Sequence, residues 1–150
     1  MTLVDELRKV FLKDLQKLKE EIGLYRSEPN IWKIEKQIAN SAGNLCLHLV
    51  GNLNTYFGAT IGKTGYIRNR DQEFLLKNIP QKELVSMVEN TITMLDKVMK
   101  SITDDQLKEE YPLLVLKKKT SKGYFLFHLS SHLGYHLGQI NYHRRLIDTV

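Results

Sequence analysis

The chain has 150 residues, with 22 Lys and Arg against 17 Asp and Glu and a single cysteine, Cys46. That length implies one domain over 1–150, which buries roughly 68–70% of its unfolded surface and needs no disulfide staple. The composition excludes a secreted disulfide scaffold, a disordered chain and a membrane span, and a net charge of +5 does not by itself mark a nucleic-acid binder. The opening stretch Met1-Thr2-Leu3-Val4-Asp5-Glu6 is amphipathic and acidic, unlike a targeting peptide, so a cytoplasmic location is expected.

Segment 3–25 places Leu3, Leu7, Val10, Phe11, Leu15, Leu18 and Ile22 at helical spacing, with charged residues between them. Ser27-Glu28-Pro29-Asn30 stops it. Segment 34–58 repeats the pattern through Ile34, Ile38, Leu45, His48, Leu49, Asn52, Leu53 and Tyr56, and a second helix is predicted there. Residues 58–80, with Gly58, Gly62, Gly65 and Pro80, read as a long loop of the kind that often carries function. Leu84, Val88, Thr91, Leu95, Val98 and Ile102 predict a helix over 81–102. Tyr111 to Leu116 is a short apolar run of undecided structure. Thr120 or Ser121 caps a last helix over 122–147. Four such helices predict an all-α four-helix bundle with a long crossover loop.

Four of the five histidines, His128, His132, His136 and His143, fall within sixteen residues of the last helix. At about 100° per residue, Phe125, Leu129, His132, His136, Ile140, His143 and Ile147 form one core-facing seam. His132 and His136 are one turn apart, about 6 Å at Cβ, a spacing at which two imidazoles share one ion. His48 lies on the apolar seam of the second helix and faces the same interior. One histidine on an apolar stripe is an ordinary hydrogen-bonded core residue. Three unpaired rings buried together are costly, and a divalent ion satisfies all of them. Three nitrogen ligands suit zinc, nickel or iron and leave one coordination position open. His128 is the alternative ligand, or a partner beside the site. His143 lies about 10.5 Å further along the axis than His136, too far to share the ion, and reads as a polar cap at the bundle end.

The loop Tyr66-Ile67-Arg68-Asn69-Arg70-Asp71-Gln72-Glu73-Phe74 follows the His48 helix. Mixed charge in a loop is usually solvated. The functional reading folds it over the bundle mouth, with Arg70 binding an anionic group and Asp71 or Glu73 acting as base or orienting a ligand. Asn52, one turn after His48, donates near the open position or serves as a structural amide. Ser130, Gly134 and Gly138 line one helix edge, and close approach of another helix is the simplest reason for two glycines there. Lys117-Lys118-Lys119 with Lys122 reads as a solvated basic turn, without the interleaved aromatics of a nucleic-acid site. Cys46 points about 200° away from His48 round the helix and reads as a small core residue.

The segments His48-Leu49-Val50-Gly51-Asn52, Arg68 to Phe74, and His132 to Ile140 together resemble the DinB-like superfamily, in a branch described only as a domain of unknown function. The resemblance spans essentially the whole chain. It implies a four-helix bundle, often dimeric, that binds nickel or zinc through three histidines matching His48, His132 and His136. Some relatives are thiol-dependent transferases or isomerases using bacillithiol, mycothiol or glutathione. The function expected is a metal-dependent enzyme, a thiol transferase or a hydrolase, in which a bound thiol or water made nucleophilic attacks a small electrophile. The alternative is a stress-linked protein that holds a metal or small ligand without turnover. The expected partners are a small-molecule substrate or ligand and a second copy of the chain, with no nucleic acid and no membrane.

Overall fold

The computed structural model describes residues 1–149. It is all-helical, with no strand among those residues. In chain order it contains α1 (Leu3–Gly23), a 3-10 turn Glu28–Trp32, α2 (Ala42–Leu53), α3 (Arg70–Leu75), α4 (Gln81–Lys100), a 3-10 turn Asp105–Lys108 and α5 (Lys122–Ile147). A π-helical turn, Asn54–Ala59, extends α2 without a break. α1 packs on α4 and α5, while α2 packs on α3, α4 and α5. No helix among the described residues is long and apolar enough to cross a membrane.

The ends of α1 are set locally. Thr2 and Asp5 form a reciprocal capping box, and the Asp104 carboxylate accepts from the backbone N–H of Leu3 and Val4 at 3.0 Å each. Its inward residues Leu7, Phe11, Leu15, Leu18 and Ile22 meet the amphipathic face of α4, Leu84, Val88 and Leu95. α2 behaves differently: every residue from Ala42 to Leu53 is buried. A helix buried on all sides puts its polar members inside as well, which is how His48 and Asn52 reach the interior.

The helix expected over 34–58 starts only at Ala42. Lys36 has a left-handed backbone (φ 53°), incompatible with a continuing helix, and Ser41 caps α2 by accepting from Asn44 N at 3.1 Å. Ile34 is about half exposed, at 49%. The core contribution comes instead from the preceding 3-10 turn, whose Ile31 and Trp32 are buried. Gly43 makes room for that turn, since a Cβ there would sit 2.6 Å from the Trp32 ring.

The expected loop 58–80 carries the short helix α3, capped by Asn69 accepting from Gln72 N. The apolar run 111–116 is neither helix nor strand. Tyr111 in it is buried, and its hydroxyl donates to Tyr56 O at 2.7 Å. α5 occupies the expected 122–147, and Ser121 is its cap. Gly134 and Gly138 are exposed, and no helix of this chain closes on them: Gly138 has no neighbour within 4 Å of a built Cβ, and Gly134 only Asp14 Oδ2 at 3.8 Å.

Candidate metal centre

α2 and α5 bring together the three histidines that helical spacing selects. His48, His132 and His136 each offer a ring nitrogen, and the three nitrogens lie within 4.8 Å of one another. His48 Nε2 and His132 Nε2 are 3.1 Å apart. His48 is buried, and His132 and His136 are half-buried. His128, one turn earlier on α5, is exposed, with its ring stacked 6.5 Å from that of His132. It stands outside the converging group.

The proton positions follow from the neighbours. Glu73 Oε1 lies 3.0 Å from His48 Nδ1, and an ionised carboxylate only accepts, so Nδ1 carries the proton. Burial lowers the pKa of His48, which favours the neutral ring and leaves Nε2 as a bare lone pair. Gln139 Oε1 accepts from His136 Nδ1 at 2.7 Å, so Nε2 of His136 is bare as well. His132 therefore donates its Nε2 proton to His48 Nε2, and its buried Nδ1 has no partner. Burial and the adjacent rings of His136 and His48 push the His132 pKa down to about 4, so that ring is neutral near pH 7.

Glu73 is the buried anchor of this arrangement. Its carboxylate also accepts from Arg68 Nε at 2.8 Å and Arg68 Nη2 at 3.0 Å, a bidentate pair next to the cluster. Gly51 gives Glu73 its place: a Cβ at that position would overlap the carboxylate. Asn44 fixes the backbone of α3, donating to Glu73 O and Leu76 O at 2.9 Å each. Sequence reasoning assigned no role to Arg68, Gly51 or Asn44 and left Gln139 open. The signal for Gly51 was its place one turn after Leu47 on a helix with no polar face. Arg68 and Asn44 act across 5 and 29 residues to Glu73 and left no periodic trace.

The other predicted residues scatter. Asp71 is exposed and makes no side-chain hydrogen bond or ion pair among the described residues. Arg70 is exposed, with its guanidinium 5.4 Å from the Phe74 ring centroid. Asn52 is buried, and its Oδ1 has no partner. Cys46 is fully buried, and burial pushes its thiol up to about 12, as suits a core residue. His143, read as a polar cap at the bundle end, is buried there, bonded through Nδ1 to Tyr25 Oη at 2.6 Å and through Nε2 to Lys33 O at 2.8 Å.

Two cavities reach the cluster. One of about 180 Å³ touches His48, His132, Asn52, Arg68, Arg70 and His128. The other, about 550 Å³, touches His136, Ile38, Leu45, Tyr135, Gln139 and Tyr142.

The donor set fits a divalent ion of the zinc and nickel type. Two imidazole nitrogens on one tetrahedral ion, each bonded at about 2.0–2.1 Å, are themselves about 3.4 Å apart, close to the His48–His132 separation. Each outer ring already has its Nδ1–H held, by a carboxylate and by an amide oxygen, which aims Nε2 inward. No curated protein matches the sequence significantly. Residues 3–149, nearly the whole chain, match the family described as "Protein of unknown function (DUF1572)", and the chain belongs to that family.

Proposed function

We propose that this chain is a divalent-metal protein of the DinB-like four-helix type, and that it works as a metal-dependent enzyme of the thiol-dependent S-transferase kind. The observation that carries the reading is the convergence of three histidine nitrogens from two helices within 4.8 Å. Among the described residues no carboxylate or cysteine joins the group, so the ligand set is neutral and suits zinc or nickel.

The bound ion supplies Lewis acidity, lowering the pKa of a coordinated thiol or water so that it is nucleophilic near pH 7. The protein's own part is positional. Glu73 holds the proton on His48 Nδ1, and Gln139 holds the proton on His136 Nδ1. An ion held by all three rings would require the His132 proton to sit on its unpartnered Nδ1, and ring protonation would compete with the ion, so binding weakens as the pH falls. The reading as enzyme rather than storage site is favoured by the two cavities that reach the cluster, one at His48 and His132 and the other at His136.

Elemental mass spectrometry on tag-free protein tests the centre. Near one equivalent of metal is expected in the native chain and near none in His48→Ala and His136→Ala. Metal unchanged in either variant overturns the assignment. With the centre in place, the loaded protein is assayed with thiol-reactive electrophiles and several low-molecular-weight thiols. Rates no higher than those of the metal-free protein would leave a binding protein without turnover.

A further inference from the structure

We propose that the substrate taken at this centre is an amphiphilic organic anion, its charged head held by Arg70 in the smaller cavity and its apolar body lying in the larger one. The proposal rests on the metal-centre reading and adds the chemistry of the ligand. The two cavities succeed one another along α5. The smaller is bounded by the turn that ends at His132, and the larger begins at Tyr135 and His136. The cluster therefore lies between them, with His48 and His132 on the smaller and His136 on the larger.

The smaller cavity is built for negative charge. Two arginines and no carboxylate line it. The charge of Arg68 is already matched by Glu73. Arg70 is unmatched: it has no ion-pair partner among the described residues, and its guanidinium lies only against the Phe74 ring. A planar guanidinium free at the rim of a polar cavity is suited to bidentate capture of a carboxylate or phosphate. Asn52 adds a second polar contact, since its buried amide in the same wall has an unused oxygen for a donor on the ligand.

The larger cavity is the more apolar of the two. Ile38, Leu45, Leu146 and the rings of Tyr135 and Tyr142 line it, with the amides Gln37, Asn40 and Gln139 at its polar side, and its only charged or titratable neighbours besides the two tyrosines are His136 and His143. Its volume of about 550 Å³ lies within the range of small-molecule sites. From His132 to Gln139 is about 10 Å along α5, which sets the span of a ligand reaching from one cavity into the other.

The test uses three probes on the zinc-loaded full chain by isothermal titration calorimetry: 4-phenylbutyrate, its neutral counterpart 4-phenylbutan-1-ol, and butyrate, which lacks the ring. Phenylbutyrate is expected to bind about tenfold more tightly than either of the others. Arg70→Gln should abolish the advantage over the alcohol and keep the advantage over butyrate. Tyr135→Ser should do the reverse, and both variants should retain zinc. Equal binding of acid and alcohol, an acid advantage that survives Arg70→Gln, a ring advantage that survives Tyr135→Ser, or no binding at about millimolar concentration each overturns the proposal. If the native chain takes up no zinc, the preceding reading fails instead, and the same titrations on metal-free protein decide the anion site alone.

Discussion

Two histidine neighbourhoods share the inner seam of α5, and they are resolved by what each ring nitrogen meets. His143 is buried, and both its nitrogens find protein partners, the Tyr25 hydroxyl and the Lys33 carbonyl. It ties α5 to the end of α1 and to the segment that leads into α2. His136 and His132 stand two and three turns earlier on that seam, yet there a ring nitrogen of each lies within 4.8 Å of one on His48, and the Nε2 atoms of His48 and His132 face each other rather than a backbone group. Burial on an apolar stripe is common to both neighbourhoods and so discriminates nothing. Satisfaction does: both nitrogens of His143 end on groups that only tie the fold together, whereas the rings of His48 and His132 turn a nitrogen on each other and leave His132 Nδ1 without a partner, as the proposed centre requires.

The sharpest way to break that contrast is His143→Ala. It removes a buried ring and leaves the Tyr25 hydroxyl and Lys33 carbonyl without partners. A loss of about 2–4 kcal/mol in unfolding free energy is expected from urea denaturation of the metal-free protein. Metal content should stay at the native level, the opposite of the pattern expected for His136→Ala. A His143→Ala protein that folds normally but loses its metal would merge the two neighbourhoods into one.

The same contrast explains what was legible in the sequence. Helices with one apolar face, α1, α4 and α5, announced themselves through spacing, and α5 through its Ser121 cap. The triad was legible because its geometry is mostly intrahelical: four residues between His132 and His136 is a fact of one helix. Ile34 and Ile38 carried the same four-residue signal and misled, because periodicity cannot register a left-handed residue such as Lys36 or a competing cap such as Ser41. What supports each ring was illegible for a different reason. Glu73 reaches His48 across 25 residues and Lys33 reaches His143 across 110, and only tertiary packing makes those pairs. The partners of His143 were missed for that cause, since distance from the triad was visible and Tyr25 and Lys33 were not.

A smaller effect separates ring placement from ring identity at the triad. Glu73→Gln keeps an acceptor near His48 but discards the charge that balances Arg68, and zinc affinity should fall about 10–100-fold in a competition titration. Gly51→Ala should produce a loss of the same order without touching any ring or carboxylate, because the new methyl group overlaps Glu73 and displaces it. Both act through one carboxylate, so the double variant should lose little more than either single one. Losses that add in full would mean that Gly51 acts on the site by a route other than Glu73.

The smallest expected effect is a pH dependence confined to the His143 side. Burial holds the His143 pKa below the ordinary histidine value, against the opposing pull of its bond to Lys33 O and of the Glu35 carboxylate. Below about pH 6.5 the unfolded chain then takes up a proton that the folded chain refuses, so the unfolded state binds more protons and stability falls as the pH drops. The carboxylates lowered by their hydrogen bonds, such as Glu21, Asp96 and Asp148, add to the fall at the acid end of this window, where their unfolded counterparts begin to protonate, and they do so equally with or without His143. His143→Gln offers the same two contacts, an amide N–H for Lys33 O and an amide oxygen for the Tyr25 hydroxyl, but cannot titrate. In metal-free protein its stability should decline less steeply than the native protein's between about pH 6.5 and 4.5, with the remaining slope supplied by His48, His132 and, toward the acid end, Glu21. Identical slopes in the two proteins would show that His143 titrates normally in the fold, and a normal pKa would mean that its two bonds do not hold the neutral ring in place.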